Sequence, residues 1–193
     1  VLAAVLVFAF YALQPTLWSV ILAGLGEHGD GTQLRAAWGK SLVARYVPTS
    51  ALMVVGRVVL AERAGITKRV CLASIVYELA LGINAAVIGG AYFFIKLPSL
   101  QGHSARYAIL IVVPLALIAL HPRVFKPITD WALGKLGREP LPQALPYRMI
   151  LLLVPAYLVG WCLVGAGLFR FAPALQSLPA DKVPIIAASY LVD

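Results

Sequence analysis

The sequence predicts an all-α protein, a polytopic membrane helix bundle that contains re-entrant or broken half-helices. Of its 193 residues, 61% are hydrophobic and only 12% are charged, whereas soluble domains carry about 25% charged residues. Several apolar segments approach the length of about 20 residues that a helix needs to cross a bilayer. Between two of them, residues 45–57 hold two arginines, a proline and a glycine. Backbone that breaks its helix at membrane depth must be shielded by protein or line a watery cavity.

The apolar segments define one membrane domain, residues 1–193, with several crossings. Spans are predicted at about 1–25, 70–95, 105–120 and 149–169, and another apolar segment opens at 184. The first run lacks the basic leader and the small-residue cleavage site of a secretory signal, so it is interpreted as a span. Because the chain starts without methionine inside an apolar run, we expect it to be part of a longer protein.

Residues 33–64 are predicted to form two half-helices instead of one span. The first runs from Gln33 to Tyr46, and Pro48 ends it because proline disfavours helix at the residue before it. One side of this half-helix is apolar and consists of Leu34, Trp38, Leu42 and Val43.

The second half-helix begins after an N-cap at Thr49 or Ser50, runs to Ala64 and is closed by Gly65. Each half is too short and too charged to cross alone. A re-entrant pair that enters and leaves on one face is therefore favoured, and a pair of amphipathic helices lying on the surface is the alternative.

The basic residues support the re-entrant arrangement. If residues 33–64 start and finish on one side, segments 26–69 and 121–148 share that side and hold twelve of the sixteen basic residues, against four on the other side. A single crossing would place the two basic connections on opposite faces. The positive-inside rule then assigns both connections to the cytoplasm of a multi-pass protein of the cell membrane.

Arg45 and Arg57 are the leading candidates for ligand binding. A guanidinium grips phosphate oxygens in bidentate fashion, and a sheltered site strengthens the attraction. The headgroup of an anionic phospholipid, or a polyprenyl phosphate, is the predicted ligand, with Tyr46 beside Arg45 and with Pro48 and Gly56 shaping the backbone. The alternative is that both arginines extend to the headgroup layer and anchor the segment.

Glu78 is predicted to pair with Arg57. It lies inside the span at 70–95, where an ionised carboxylate costs about 2.5–3.5 kcal/mol and needs a partner. The pair is interpreted as a structural clamp, or as a switch that opens when a lipid phosphate competes for the arginine. Asn84 is expected to support the site or to make a hydrogen bond between helices.

The remaining aromatic residues are expected mainly at the membrane interfaces or in helix packing. Trp18 is placed near an interface, and residues 124–136 are interpreted as an interfacial helix containing Trp131. Gly160, Gly165 and Gly167 are small residues of the kind that permit close contact between helices.

No enzymatic site is indicated. The sequence contains no nucleophile–base pair, paired carboxylates, phosphate-binding glycine loop or HExxH, so an enzyme is the less favoured class. Cys71 and Cys162 stand far apart, and His28, His103 and His121 lack ligand spacing, so neither metal, cofactor nor disulfide is predicted. The net charge of +8 follows the membrane connections, which favours anionic lipid over nucleic acid as partner.

Residues 45–81 resemble the transmembrane region of lysylphosphatidylglycerol synthases and their flippase-like relatives. That region carries a K/R-Y-x-P-G segment, a G-R dipeptide, a turn with a basic residue and a glycine, and a glutamate in the next helix. The matching positions here are Tyr46-Val47-Pro48, Gly56-Arg57, Arg63-Ala64-Gly65 and Glu78. Residues 121–142 and the span containing Trp161 are similar to the family's middle connection and following helix.

Two departures accompany the resemblance. Thr49 stands where the family has glycine, and the family's later glycine-rich P-G-G-x-G-x-R-E-like segment is absent from this chain. The resemblance implies an α-helical domain with re-entrant helices that moves lipids between leaflets, either aminoacylated phosphatidylglycerol or polyprenyl-linked lipids.

The sequence thus predicts a lipid translocase, without naming the lipid, the direction or the energy source. Two alternatives remain open: the membrane half of a lipid-modifying synthase or glycosyltransferase, and a non-catalytic subunit that assembles with such an enzyme. A homo-oligomer is also open.

Overall fold

A computed structural model describes residues 1–43, 51–96 and 105–171, which form seven α-helices and no strand. The helices are listed in chain order: α1 (Leu2–Gly24), α2 (Gly31–Val43), α3 (Ala51–Arg63), α4 (Lys68–Lys96), α5 (Ala105–Ala119), α6 (Pro122–Lys135) and α7 (Tyr147–Phe171). The predicted all-α membrane helix bundle is confirmed.

Three of the described helices, α1, α4 and α7, are long and apolar enough to cross a membrane. Helix α5 covers most of the predicted span at 105–120, but its 15 residues reach only about 22 Å at ~1.5 Å per residue. It meets the length of a span only together with α6, from which it is bent by 59°. The apolar segment predicted to open at 184 lies outside the described residues.

Helices α1 and α7 pack against each other in antiparallel directions, and small residues let them approach. A Cβ atom on Gly167 would lie 3.0 Å from the Val7 side chain near the start of α1. At the other end of the pair, a Cβ on Gly24 would overlap the side chain of Met149. The glycine contacts predicted for the span at 149–169 are therefore present at Gly167.

Both basic connections lie at the same end of the bundle, where α1 ends and α4 and α7 begin. Arg69 at the start of α4 forms an ion pair with Glu139 of the α6–α7 connection at 2.8 Å. Gln143 of that connection donates a hydrogen bond to the Gly24 carbonyl at 3.3 Å. The two basic connections therefore share one end of the structure, as the distribution of arginine and lysine requires, and the side of the membrane that this end faces stays a prediction.

Helices α2 and α3 leave this end and return to it. Before α2, a Cβ on Gly29 would lie 3.0 Å from the carbonyl oxygen of Ala64, which follows α3. Asp30 begins α2 by accepting hydrogen bonds from the backbone N–H groups of Thr32 and Gln33. Gly65 closes α3 with a positive φ of 86°, as the sequence predicted. The described helices α2 and α3 therefore do not form a single crossing of the bundle from end to end.

Along the predicted apolar side of α2, Leu34 and Trp38 are buried, whereas Val43, the last described residue of the helix, is 70% exposed. The prediction for Trp18 was wrong. Trp18 is fully buried among α1, α4 and the α2–α3 pair instead of lying near an interface.

Candidate functional site

Arg57 of α3 is buried at the centre of the candidate site, with 4% of its side chain exposed. Its Nη1 donates to Oε2 of Glu78 on α4. The predicted pairing of Arg57 with Glu78 is therefore confirmed. Because each charge is neutralised by the other, the pair can be held in apolar surroundings that neither ion would tolerate alone.

The second oxygen of the carboxylate also has a partner. Trp38 of α2 donates its indole N–H to Oε1 of Glu78 at 2.9 Å. Ser41, one turn further along α2, accepts a hydrogen bond from Nε of Arg57 at 3.2 Å and donates its hydroxyl proton to the Trp38 carbonyl at 2.6 Å. Helix α2 thus supplies a hydrogen-bond donor to the Glu78 carboxylate and a hydrogen-bond acceptor to the Arg57 guanidinium.

Two tryptophans shield the guanidinium. The Cζ atom of Arg57 lies 5.4 Å from the ring centroid of Trp38 and 5.6 Å from that of Trp18. Both distances are within the range of about 6 Å at which a cation is attracted to the face of an indole. The Trp18 ring is itself fixed by a 2.8 Å hydrogen bond from its N–H to Ser74 of α4.

The site lies well inside the bundle. Glu78 is ten residues beyond Lys68, so it stands about 15 Å along α4 from the basic end, at ~1.5 Å per residue. The α2–α3 pair must reach the same depth for Arg57 to contact it. This placement agrees with the re-entrant prediction and disagrees with helices lying flat over the basic end.

Four helices contribute to this one cluster, which we call the arginine centre: Trp18 of α1, Trp38 and Ser41 of α2, Arg57 of α3, and Ser74 and Glu78 of α4. The alternative in which Arg57 extends to the headgroup layer does not fit its burial. Any anion that binds this guanidinium has to displace or join Glu78.

The other predicted site residues do not join the arginine centre in the described part of the chain. Arg45, Tyr46 and Pro48 lie outside the described residues. A Cβ on Gly56 would contact nothing within 4 Å, so no close approach explains this glycine. Asn84 bonds within its own helix, from Nδ2 to the Ala80 carbonyl at 3.0 Å.

Sequence reasoning missed Trp18, Ser41 and Ser74 as parts of the centre. Trp18 and Trp38 each lie on an apolar stretch, where tryptophan is ordinarily a packing or interface residue. One pattern could have indicated Ser41: it lies one turn after Trp38 on the same helix, so both polar groups can reach the same buried ion pair. Tyr157 of α7 was also missed; among the described residues its buried hydroxyl has no hydrogen-bond partner.

The described residues contain no group of three or more His, Cys, Asp or Glu side chains that could hold a metal ion. No protein-family model matches this chain, and no curated protein or solved structure matches it either.

Proposed function

We propose that this chain is the core of an integral membrane lipid translocase that moves a phosphate-bearing lipid between leaflets. The observation that carries the proposal is the Arg57–Glu78 pair, buried where α2 and α3 enter a bundle of apolar helices. Ionisable residues inside a membrane domain are costly and generally mark a functional pathway. The ligand class is an anionic or aminoacylated phospholipid, or a polyprenyl phosphate.

The chemistry of the centre suits exchange of one anion for another. A headgroup phosphate offers the guanidinium the same bidentate geometry as the carboxylate of Glu78. When phosphate takes Arg57, Glu78 keeps its bond from Trp38 and is free to receive a cationic amine. An aminoacylated headgroup carries both the phosphate and the amine, so it satisfies both halves of the separated pair.

The resemblance to the membrane region of lysylphosphatidylglycerol synthases supports the same proposal, because Gly56-Arg57 and Glu78 are two of its matched positions. On that basis Arg45 and Tyr46 complete the headgroup site from the segment around Pro48. We also place the basic end of the bundle in the cytoplasm of the cell membrane, since that end holds most of the arginines and lysines.

A second candidate function is favoured by the completeness of the arginine centre. Arg57 is nearly inaccessible, and both of its described hydrogen bonds go to protein groups. A permanent clamp of this kind would suit a structural subunit assembled with a lipid-modifying synthase or glycosyltransferase. In that case the centre holds α2 and α3 in place and moves no lipid.

Reconstitution separates the two functions. The full-length protein is placed in vesicles with fluorescent lipids that differ in headgroup: phosphatidylglycerol, its lysyl ester, phosphatidylcholine and a polyprenyl phosphate. The rate at which each lipid becomes accessible to an external quencher is measured. A translocase accelerates at least one phosphate-bearing lipid over protein-free vesicles, whereas a structural subunit accelerates none.

The role of Arg57 is tested in variants that fold. Arg57→Met combined with Glu78→Leu removes both charges, so no unpaired ion is left behind. Loss of translocation in this folded double variant, with normal activity in the surface variant Glu62→Gln, supports the assignment. Unchanged translocation in the double variant would refute it.

A further inference from the structure

Helix α6 presents two distinct sides. One side packs on the bundle through Phe125, Thr129 and Leu133, which are buried, and the Phe125 ring lies 4.7 Å from that of Tyr77 on α4. His121 caps the helix by accepting the N–H of Arg123, and Pro122 stands at the first position. The helix is therefore held firmly against the bundle along one side.

The other side of α6 carries an exposed apolar stripe. Val124, Ile128 and Trp131 are 42%, 51% and 67% exposed. Their spacing of four and three residues places them on one face of the helix. Within the described residues, this stripe has no packing partner in the bundle core.

The preceding helix also has an apolar exposed side. Over residues 111–119 of α5, the part whose exposure is described, the large exposed side chains are Ile111, Val112, Leu115 and Ile118. The two helices follow each other with a bend of 59°. A short apolar helix that is followed by such a bend and by a helix with one apolar side is the arrangement expected where a chain passes from the hydrocarbon region into the interface.

Basic side chains accompany the stripe. Lys135 lies with its Nζ 5.7 Å from the ring centroid of Trp131, so the cation covers the outermost aromatic residue. Arg123 is exposed in the first turn of the helix, and Arg138 is exposed three residues beyond its last residue. Lys126 forms an ion pair with Asp130, with 2.5 Å between Nζ and Oδ2. The exposed face thus combines tryptophan and aliphatic residues with cations that form no ion pair among the described residues, a combination typical of helices that lie on anionic membranes.

We propose that α6 is a lipid-binding surface that lies in the headgroup layer of the anionic leaflet, with Val124, Ile128 and Trp131 inserted at the acyl boundary and Arg123, Lys135 and Arg138 contacting lipid phosphates. The bilayer is the occupant because the stripe follows the apolar exposed residues of α5 after a single bend and is accompanied by cations. This surface is separate from the arginine centre, so it does not depend on the proposed translocase activity.

The test uses a fluorescent label on single introduced cysteines in the full chain. In a Cys162→Ser background, which removes the exposed native thiol, the label is attached at Ile128→Cys or at Gly134→Cys. Gly134 is the comparison position because it is exposed at the edge of the stripe, one turn after Trp131 and about 120° around the helix from Ile128; a Cβ there meets nothing within 4 Å. Quenching by spin-labelled lipid and by aqueous iodide is measured in vesicles with and without phosphatidylglycerol.

We expect the label at 128 to be quenched by lipid at least about twofold more than the label at 134, and to be protected from iodide. The difference should grow with the fraction of phosphatidylglycerol. In the triple variant Arg123→Gln, Lys135→Gln, Arg138→Gln, the difference in quenching should no longer depend on the fraction of phosphatidylglycerol. Equal quenching at 128 and 134, as expected if another protein or a second copy covers the stripe, would overturn the proposal. Insertion that ignores phosphatidylglycerol would overturn the assignment to an anionic leaflet.

Discussion

Trp38 donates its indole N–H to Oε1 of Glu78 across 2.9 Å, although the two residues stand 40 positions apart in the chain. The bond joins the first half-helix to a long membrane helix, and the same carboxylate pairs with Arg57 of the second half-helix. One acid in α4 therefore holds both members of the α2–α3 pair.

Breaking the ion pair on one side should be costly. Glu78→Ala leaves the buried Arg57 guanidinium without its counter-charge, and such changes typically cost about 3–5 kcal/mol. Replacing both charges, by Arg57→Met with Glu78→Leu, should recover most of that loss. The free energy of unfolding in detergent micelles is measured for Glu78→Ala and for the double variant. The matched control is Glu62→Ala, which removes the half-exposed pair with Lys68 and should cost no more than about 1 kcal/mol. A double variant as unstable as Glu78→Ala would contradict this account.

Trp38→Phe should destabilise the protein although the ring remains aromatic. The change removes a hydrogen bond to a charged group, which contributes about 1.5–3 kcal/mol, and weakens the attraction between the ring and Arg57. Trp131→Phe is the control, because Trp131 is 67% exposed and should change stability by less than about 0.5 kcal/mol. The free energies of unfolding are compared under identical conditions. Equal effects of the two substitutions would show that the bond to Glu78 contributes nothing.

Two glycines should respond to alanine in opposite directions. At Gly24 an added Cβ overlaps the side chains of Met149 and Leu145, so Gly24→Ala should destabilise by about 1–3 kcal/mol through overpacking. At Gly82, in the middle of α4, the Cβ meets nothing within 4 Å, and Gly82→Ala should stabilise by up to about 1 kcal/mol through helix propensity. The midpoint of thermal unfolding, measured for each variant, should fall for Gly24→Ala and rise for Gly82→Ala. A stabilising Gly24→Ala would mean that α1 and α7 pack less closely than described.

The connection after α6 should weaken in acid. Partial burial raises the pKa of Asp130, but its hydrogen bonds with Lys126 and with the Leu141 N–H and the charge of Lys126 outweigh burial and lower the pKa overall. A lowered folded pKa stabilises the protein above the unfolded pKa of about 3.9, and this contribution is lost as pH falls through the folded value. Asp130→Asn should therefore flatten the decline in stability below about pH 4. An identical decline in the variant would exclude Asp130 as its source.

The residues flanking the α2–α3 pair should face the same side of the membrane. In a Cys162→Ser background, His28→Cys before α2 and Lys68→Cys after α3 should react with an impermeant maleimide from one side. Phe171→Cys, exposed at the far end of α7, should react from the other. Comparing the maleimide reaction of each cysteine in intact cells and in opened cells shows which side of the membrane it faces. If His28 and Lys68 label from opposite sides, the pair crosses the membrane and the re-entrant arrangement is wrong.

The helices were largely predictable because most of them are specified by local sequence features. Long apolar stretches gave α1, α4 and α7, and Gly65 marked the end of α3 because a positive φ suits glycine. Asp30 is a further local signal, because aspartate is a common N-cap and its carboxylate caps α2. The shared end of the basic connections followed from counting charges, since arginine and lysine are distributed by membrane side.

The sequence by itself determined that this chain is a membrane helix bundle and that the carboxylate inside its second long helix needs a cation, because an unpaired ion in apolar surroundings is too costly. Only the tertiary structure decided that Trp18, Trp38 and Ser41 surround that cation. Their contacts with Arg57 join four helices far apart in the chain, and tryptophan packs as readily against lipid or aliphatic side chains as against a guanidinium. Nothing in the local pattern selects among those neighbours, so the choice rests on how the helices pack.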